Sequence, residues 1–181
     1  MRLTAALLVC LFGAALPTAL AAAETKYQVF DPTASRPEQK FTGDCDQVSI
    51  APGLVVTVKS GPAGYPGIDL KGSWDFDGFS HVEARVTNTG AKAIDLSLRV
   101  DNGGDWHQSP WDTESARIEP GQTQSITVFF GYAYGDKPGY KLDPKAVVNI
   151  KLFTGKTSEA ETFRINGIYV GGHAGEHPPG T

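Results

Sequence analysis

The chain has 181 residues, two cysteines and a formal net charge of −4. A mildly acidic chain lacks the basic footprint that nucleic acid or an anionic membrane surface demands, so neither is an expected partner. The length supports one domain with a sizeable core, and after the first twenty or so residues no segment approaches the ~20 apolar residues of a membrane span.

Residues 1–23 read as a secretory signal peptide. Met1-Arg2 supplies a positive start, Leu3 to Leu20 is apolar, and Ala21-Ala22-Ala23 offers small-residue cleavage sites before Glu24. Val9 stands where a lipoprotein wants a small residue before its cysteine, so Cys10 is not read as a lipid anchor. The expected location is therefore secreted or periplasmic, with the signal removed. Cys45 is then the remaining cysteine, and it has no intrachain disulfide partner. A lone cysteine of this kind is expected to be a buried, inert thiol.

Residues 24–43 are polar, broken by Pro32 and Pro37, and read as a lead-in segment with a short edge strand at 27–30. Strand signals follow at 47–50, 54–60, 68–71, 81–87, 94–101, 116–118, 125–130, 146–153 and 163–170. Pro/Gly turns such as Ala51-Pro52-Gly53, Glu119-Pro120-Gly121 and Lys137-Pro138-Gly139 separate them. The clearest alternation runs from His81 to Val100. Val82, Ala84 and Val86 alternate with polar residues, as do Ile94, Leu96, Leu98 and Val100, which reads as an antiparallel hairpin with one apolar and one wet face. Such a hairpin would place Arg85 opposite Asp95 or, in a neighbouring register, Glu83 opposite Arg99. In the last strand Phe163 and Ile165 share one parity, and Ile168 and Val170 the other, so a β-bulge is expected at Asn166-Gly167. About nine strands at this spacing mean an all-β, antiparallel β-sandwich of the jelly-roll kind over residues 44–171. Residues 172–181 lack apolar periodicity and read as a disordered tail.

The strongest candidate site is the segment Asp101–Asp112, a long loop holding Trp106, Trp111, His107 and Asp105. Indole rings stack on the C–H faces of sugars, while Asp, His or Gln hydrogen-bonds the hydroxyl rim. A second aromatic loop with Tyr132 and Tyr134 is expected to form the opposite wall of one cleft, and Arg99 (with Arg85) reaches ligand from the sheet face. Asp44-Cys45-Asp46 and Asp75-Phe76-Asp77 each pair two carboxylates, a hard-oxygen set suited to calcium, with Asp44 and Asp46 favoured as a structural calcium site. Both also fit ordinary turns. His173-Ala174-Gly175-Glu176-His177 spells a zinc-peptidase motif, but flanking Gly and Pro deny it the helix that this chemistry needs. No nucleophile elbow, phosphate loop or dinucleotide fingerprint is present, so no catalytic residue is assigned.

Several segments resemble the galactose-binding-like jelly rolls. They are Trp74-Asp75-Phe76-Asp77-Gly78-Phe79-Ser80-His81, Val86-Thr87-Asn88-Thr89-Gly90 with Leu96–Asp101, Ile118-Glu119-Pro120-Gly121-Gln122 with Ile126-Thr127-Val128, and Phe163–Ile168. Their order over residues 45–171 most resembles the accessory carbohydrate-binding modules that stand beside catalytic domains in agarases and related polysaccharide hydrolases. The resemblance implies a non-catalytic module for a polysaccharide, galactose-rich and agar-type in the nearest relatives, and a hydrolase as a partner. Two departures stand out. Asn166-Gly167 replaces the acidic residue that helps those domains hold a structural calcium, and no catalytic domain follows. A cell-envelope protein-interaction domain is the alternative expectation, with a contiguous exposed apolar patch as its mark. A polysaccharide hydrolase is a weaker one, needing two carboxylates about 5–10 Å apart across a cleft.

Overall fold

The computed structural model describes residues 26–33, 40–50, 53–59, 61, 64–105, 107–108, 110–156 and 159–181. The expected signal peptide and the middle of the lead-in segment, 34–39, lie outside these residues. Thirteen strands are seen among the described residues. They are β1 (Tyr27–Phe30), β2 (Lys40–Gly43), β3 (Cys45–Ile50), β4 (Leu54–Val58), β5 (Gly67–Trp74), β6 (His81–Asn88), β7 (Ile94–Asn102), β8 (Trp111–Ile118), β9 (Thr123–Phe129), β10 (Tyr132–Ala133), β11 (Lys137–Pro138), β12 (Val147–Thr154) and β13 (Glu161–Gly171). One 3₁₀ turn, Pro144–Ala146, precedes β12. No helix among the described residues is long and apolar enough to cross a membrane.

The strands form two antiparallel sheets packed face to face. The first runs β3-β4-β13-β6-β9, with β1 also on β13; the second runs β2-β5-β12-β7-β8. Alternation explains which side chains meet between them. Val82, Ala84 and Val86 of β6, and Phe163 and Ile165 of β13, face Ile94, Leu96, Leu98 and Val100 of β7 and Ile150 and Leu152 of β12 in one continuous core. Fully burying a side chain of this size stabilises the fold by roughly 1.5–3 kcal/mol, so the two inner faces hold the sandwich together. The expected bulge is present. The β13–β6 register shifts between Ile165 and Gly167, and Phe163, Ile165, Ile168 and Val170 are all buried.

The expected hairpin is not present. β6 and β7 lie in different sheets, each with a partner on both sides: β6 pairs with β13 and β9, and β7 with β12 and β8. Residues 89–93 cross between the sheets as an arch. Asn88, fully buried, builds that arch. Its Oδ1 accepts from the Gly90 amide at 2.8 Å, and its Nδ2 donates to the carbonyls of Lys92 (2.7 Å) and Ile118 (2.8 Å). Alternation records which face of a strand is buried but not which strand lies beside it, and both strands bury the same face whether paired or opposed. The expected charge pairs across the hairpin fall with it. Asp95 meets Arg117, Arg99 meets Asp101, Glu83 bonds Lys26 and Ser125, and Arg85 sits exposed on the first sheet.

Cys45 is half-buried, with its Sγ donating to the Gly67 carbonyl at 3.0 Å. The closing residues 172–181, expected to be disordered, turn back against the end of the first sheet. Glu176 accepts from the Ser80 hydroxyl and the His173 amide, His177 Nδ1 lies 2.8 Å from the Tyr132 hydroxyl, and Pro178 is buried.

Candidate functional site

The outer face of the second sheet carries the side chains that alternate with its core residues. Three rungs cross β5, β12, β7 and β8: Gly67, Phe153, Ser97 and Ser115; then Asp69, Lys151, Arg99 and Thr113; then Lys71, Asn149, Asp101 and Trp111. Gly67 is required at its position, because a Cβ there would come within 2.2 Å of the Leu152 carbonyl oxygen. Above these rungs lies a groove of about 390 Å³, lined by Tyr65, Arg99, Trp111, Tyr134, Lys151 and Phe153 together with small hydroxyl residues.

Aromatic rings run through the groove. Tyr65 meets Phe153 edge-on at 5.8 Å, and Trp111 meets Tyr134 edge-on at 6.0 Å and Tyr140 at 5.1 Å. Arg99 lies between the two groups, with its guanidinium carbon 5.7 Å from the Trp111 ring and 6.0 Å from that of Phe153. Tyr65 is 61 % exposed and Tyr134 65 %, values at which a ring is open to a ligand rather than spent on packing. Burial pushes the Tyr134 phenol above its usual range, and the neighbouring phenols of Tyr140 and Tyr65 add to this.

A strap from 130 to 140 sets Tyr134 and Tyr140 against Trp111. β10 and β11 pair within it, and the Tyr134 amide donates to the Thr113 carbonyl on the otherwise open edge of β8 at 3.0 Å. Two carboxylates on the inner face of β8 hold the strap. Asp112 accepts from the Gly131 amide at 2.6 Å, and Glu114 accepts from the amides of Gly135 (2.8 and 2.9 Å) and Asp136 (3.0 Å). These bonds support Tyr134 and Asp136 in the left-handed region, at φ 51° and 57°, where side chains other than glycine are strained.

Burial pushes the Asp112 carboxyl up to about 7, against the opposing pull of the Gly131 and Tyr140 amides. The folded chain therefore keeps a proton that the unfolded chain releases near pH 3.8. Stability from this group is accordingly expected to fall as pH rises from about 4 through 7, by up to roughly 4 kcal/mol, and to level off above that. In Asp112→Asn this slope should vanish. Melting temperatures of both proteins from pH 4 to 8 check it, and parallel profiles would show that the carboxyl does not titrate in that window.

The structure divides the sequence-predicted residues. Arg99, Trp111 and Tyr134 come together in the groove. Trp106 lies outside the described residues. Asp105 and His107 are exposed and bond each other, with Oδ1 to Nδ1 at 2.8 Å, and neither lines the groove. Tyr132 turns away to His177. The two loops do not form opposite walls. Trp111 lies on β8 rather than in the loop, and it shares one wall with Tyr134, while Tyr65 and Phe153 lie toward β5 and β12. Tyr65, Phe153 and Lys151 were missed by sequence reasoning. The signal for Phe153 was its parity: it is an aromatic ring on the polar face of β12.

Of the two acidic pairs, the second has other partners. Asp44 is exposed, and the side chain of Asp46 lies outside the described residues. Asp75 accepts from the Asp77 amide as an ordinary turn, and Asp77 pairs with Lys145 at 3.3 Å. Asn166 bonds Arg164 and Thr87 on the outer face of the first sheet. Among the described residues no group of three or more His, Cys, Asp or Glu side chains gathers in a way that could hold a metal ion.

No protein-family model matches the sequence, and no curated protein does. Solved structures do match. The agarase AgWH50C superposes with a TM-score of 0.65 at 14 % identity over 83 % of this chain, which spans a quarter (25 %) of that one. The fold is a galactose-binding-like jelly roll. Two matches of near-equal length agree: the family 11 carbohydrate-binding module of the cellulosomal cellulase Lic26A-Cel5E from Clostridium thermocellum (TM-score 0.56, 14 % identity, 87 % of this chain and 100 % of that chain), and a variant of the family 29 module CBM29-2 (0.55, 14 %, 87 % and 99 %). The resemblance read from the sequence thus holds for the fold, and the matches of near-equal length are carbohydrate-binding modules.

Proposed function

We propose that this protein is a secreted, non-catalytic carbohydrate-binding module that takes a polysaccharide segment along the outer face of its second sheet. The observation that carries the reading is the groove, with open aromatic rings at both sides of a polar floor. Rings supply flat apolar faces for sugar C–H groups, and Arg99, Lys151 and the hydroxyls of Ser97, Thr113 and Ser115 supply hydrogen bonds to the rim. The sheet holds these groups rigidly, which lowers the ordering cost of binding. The carboxylates on the same rungs, Asp69 and Asp101, are both bonded to Asn149, at 2.8 and 2.7 Å, and none of the described residues lining the groove is Asp or Glu. That favours binding over hydrolysis. Fold likeness to agarases makes galactose-rich polymers the first ligands to try, with a separate hydrolase as a natural companion.

The test is a glycan screen of residues 24–181, with Phe153→Ala as control. Phe153 is half-buried on the outer face, so the variant should fold. Loss of about tenfold or more in affinity is expected. Silence of the folded wild-type protein across a broad screen would move the reading to the envelope interaction domain.

A further inference from the structure

The groove presents cations to its ligand and keeps their counter-ions behind. Arg99 and Lys151 line it. Arg99 Nε forms an ion pair with Asp101 Oδ1 at 2.8 Å, and Lys151 Nζ stands 3.9 Å from Asp69. Asp101 is only 7 % exposed, and both carboxylates also receive Asn149 Nδ2. Each carboxylate thus has one oxygen taken by Asn149 and faces a cation within the floor. The rings add to this arrangement. Trp111 and Phe153 hold the Arg99 guanidinium between them, and Lys151 Nζ lies 5.7 Å over Phe153, so both cations are kept at the groove instead of trailing into solvent. This happens in a chain whose overall charge is −4, so the cationic lining does not follow from a basic composition.

We propose that the groove is built for a glycan bearing anionic substituents, the carboxylate of a uronate or a sulfate ester, and that Arg99 and Lys151 are its specificity determinants. This rests on the groove being the glycan site. A planar guanidinium fits two oxygens of either group, and the Lys151 ammonium adds a point charge one strand away.

The experiment is titration calorimetry with four polymers: polygalacturonate, its methyl-esterified form, κ-carrageenan and agarose oligosaccharides, each at low and at physiological ionic strength. At least one anionic polymer is expected to bind about tenfold or more tighter than its neutral counterpart, with a margin that shrinks as salt screens it. Which pair shows the margin tells uronate from sulfate. In Lys151→Gln and Arg99→Gln the anionic-to-neutral ratio should fall toward one. If Arg99→Gln does not fold, Arg99→Lys and Lys151→Gln carry the comparison. Equal or tighter binding of the neutral polymers, lost in Phe153→Ala, would overturn the anionic preference and leave the groove standing. Anionic binding that survives both Phe153→Ala and Lys151→Gln would place the attraction elsewhere on the surface and overturn the proposal. No binding by a folded protein would overturn the groove reading itself.

Discussion

Trp111→Ala is expected to weaken glycan binding by about 2 kcal/mol, roughly thirty-fold, while the protein stays folded. The ring is half-buried and stands on the outer face of β8, opposite Asp101. It contributes a sugar platform, backs Tyr134 and Tyr140, and holds Arg99 from one side. Removing it strips one wall of the groove of its flat surface and loosens the cation beside it. The sandwich core lies on the opposite face of the strand and loses nothing, so the melting temperature should shift by only a few degrees. Calorimetric titration beside a thermal melt reads both quantities. A large fall in melting temperature with unchanged affinity would make Trp111 a packing residue and remove the groove as the site.

The largest stability effect outside the apolar core is expected at Asn88. Asn88→Ala leaves the Lys92 and Ile118 carbonyls and the Gly90 amide without the partner that crosses the arch. Each buried polar group stripped of its bond costs about 1–3 kcal/mol, so a loss of roughly 3–5 kcal/mol and a melting temperature lower by about 10 °C are expected. Asn166→Ala makes the useful contrast. Asn166 also bonds two side chains, but it is half-buried on the outer face of the first sheet, and its partner Thr87 keeps a second bond to Thr123. Chemical denaturation of both variants separates the cases. Equal small losses would mean that the arch is held by packing alone.

Much of the architecture was legible from alternation. Most predicted strands match observed ones in position, the short strand at 27–30 included, and the bulge at Asn166-Gly167 follows from the change of parity among four apolar residues. These are local properties, since a strand's buried face is decided by its own side chains. Partner choice is not local. His81–Asn88 and Ile94–Asn102 look like a hairpin because they are adjacent and alternate alike, yet each is an interior strand of a different sheet. Asn88 was the residue that distinguished arch from hairpin, and its role appears only once Ile118, thirty positions away, is brought beside it.

The site shows the same division. Composition and motif order pointed to a β-sandwich with exposed aromatics, and Arg99, Trp111 and Tyr134 were singled out by residue type. Their loop setting was not the deciding feature. The groove forms because Tyr65, Phe153, Lys151, Arg99 and Trp111, spread over nearly ninety positions of the chain, are carried to one face of one sheet by strand order. Asp105 and His107 had suitable chemistry and sit close to Trp111 in the chain, but the turn that holds them bonds them to each other, and neither lines the groove. By itself, then, the sequence determined the all-β class, the faces of the strands and the kinds of side chain available for a ligand. The tertiary structure alone decided which of those side chains share a surface, because that depends on pairings between distant strands and on the buried polar groups that make one pairing better satisfied than another.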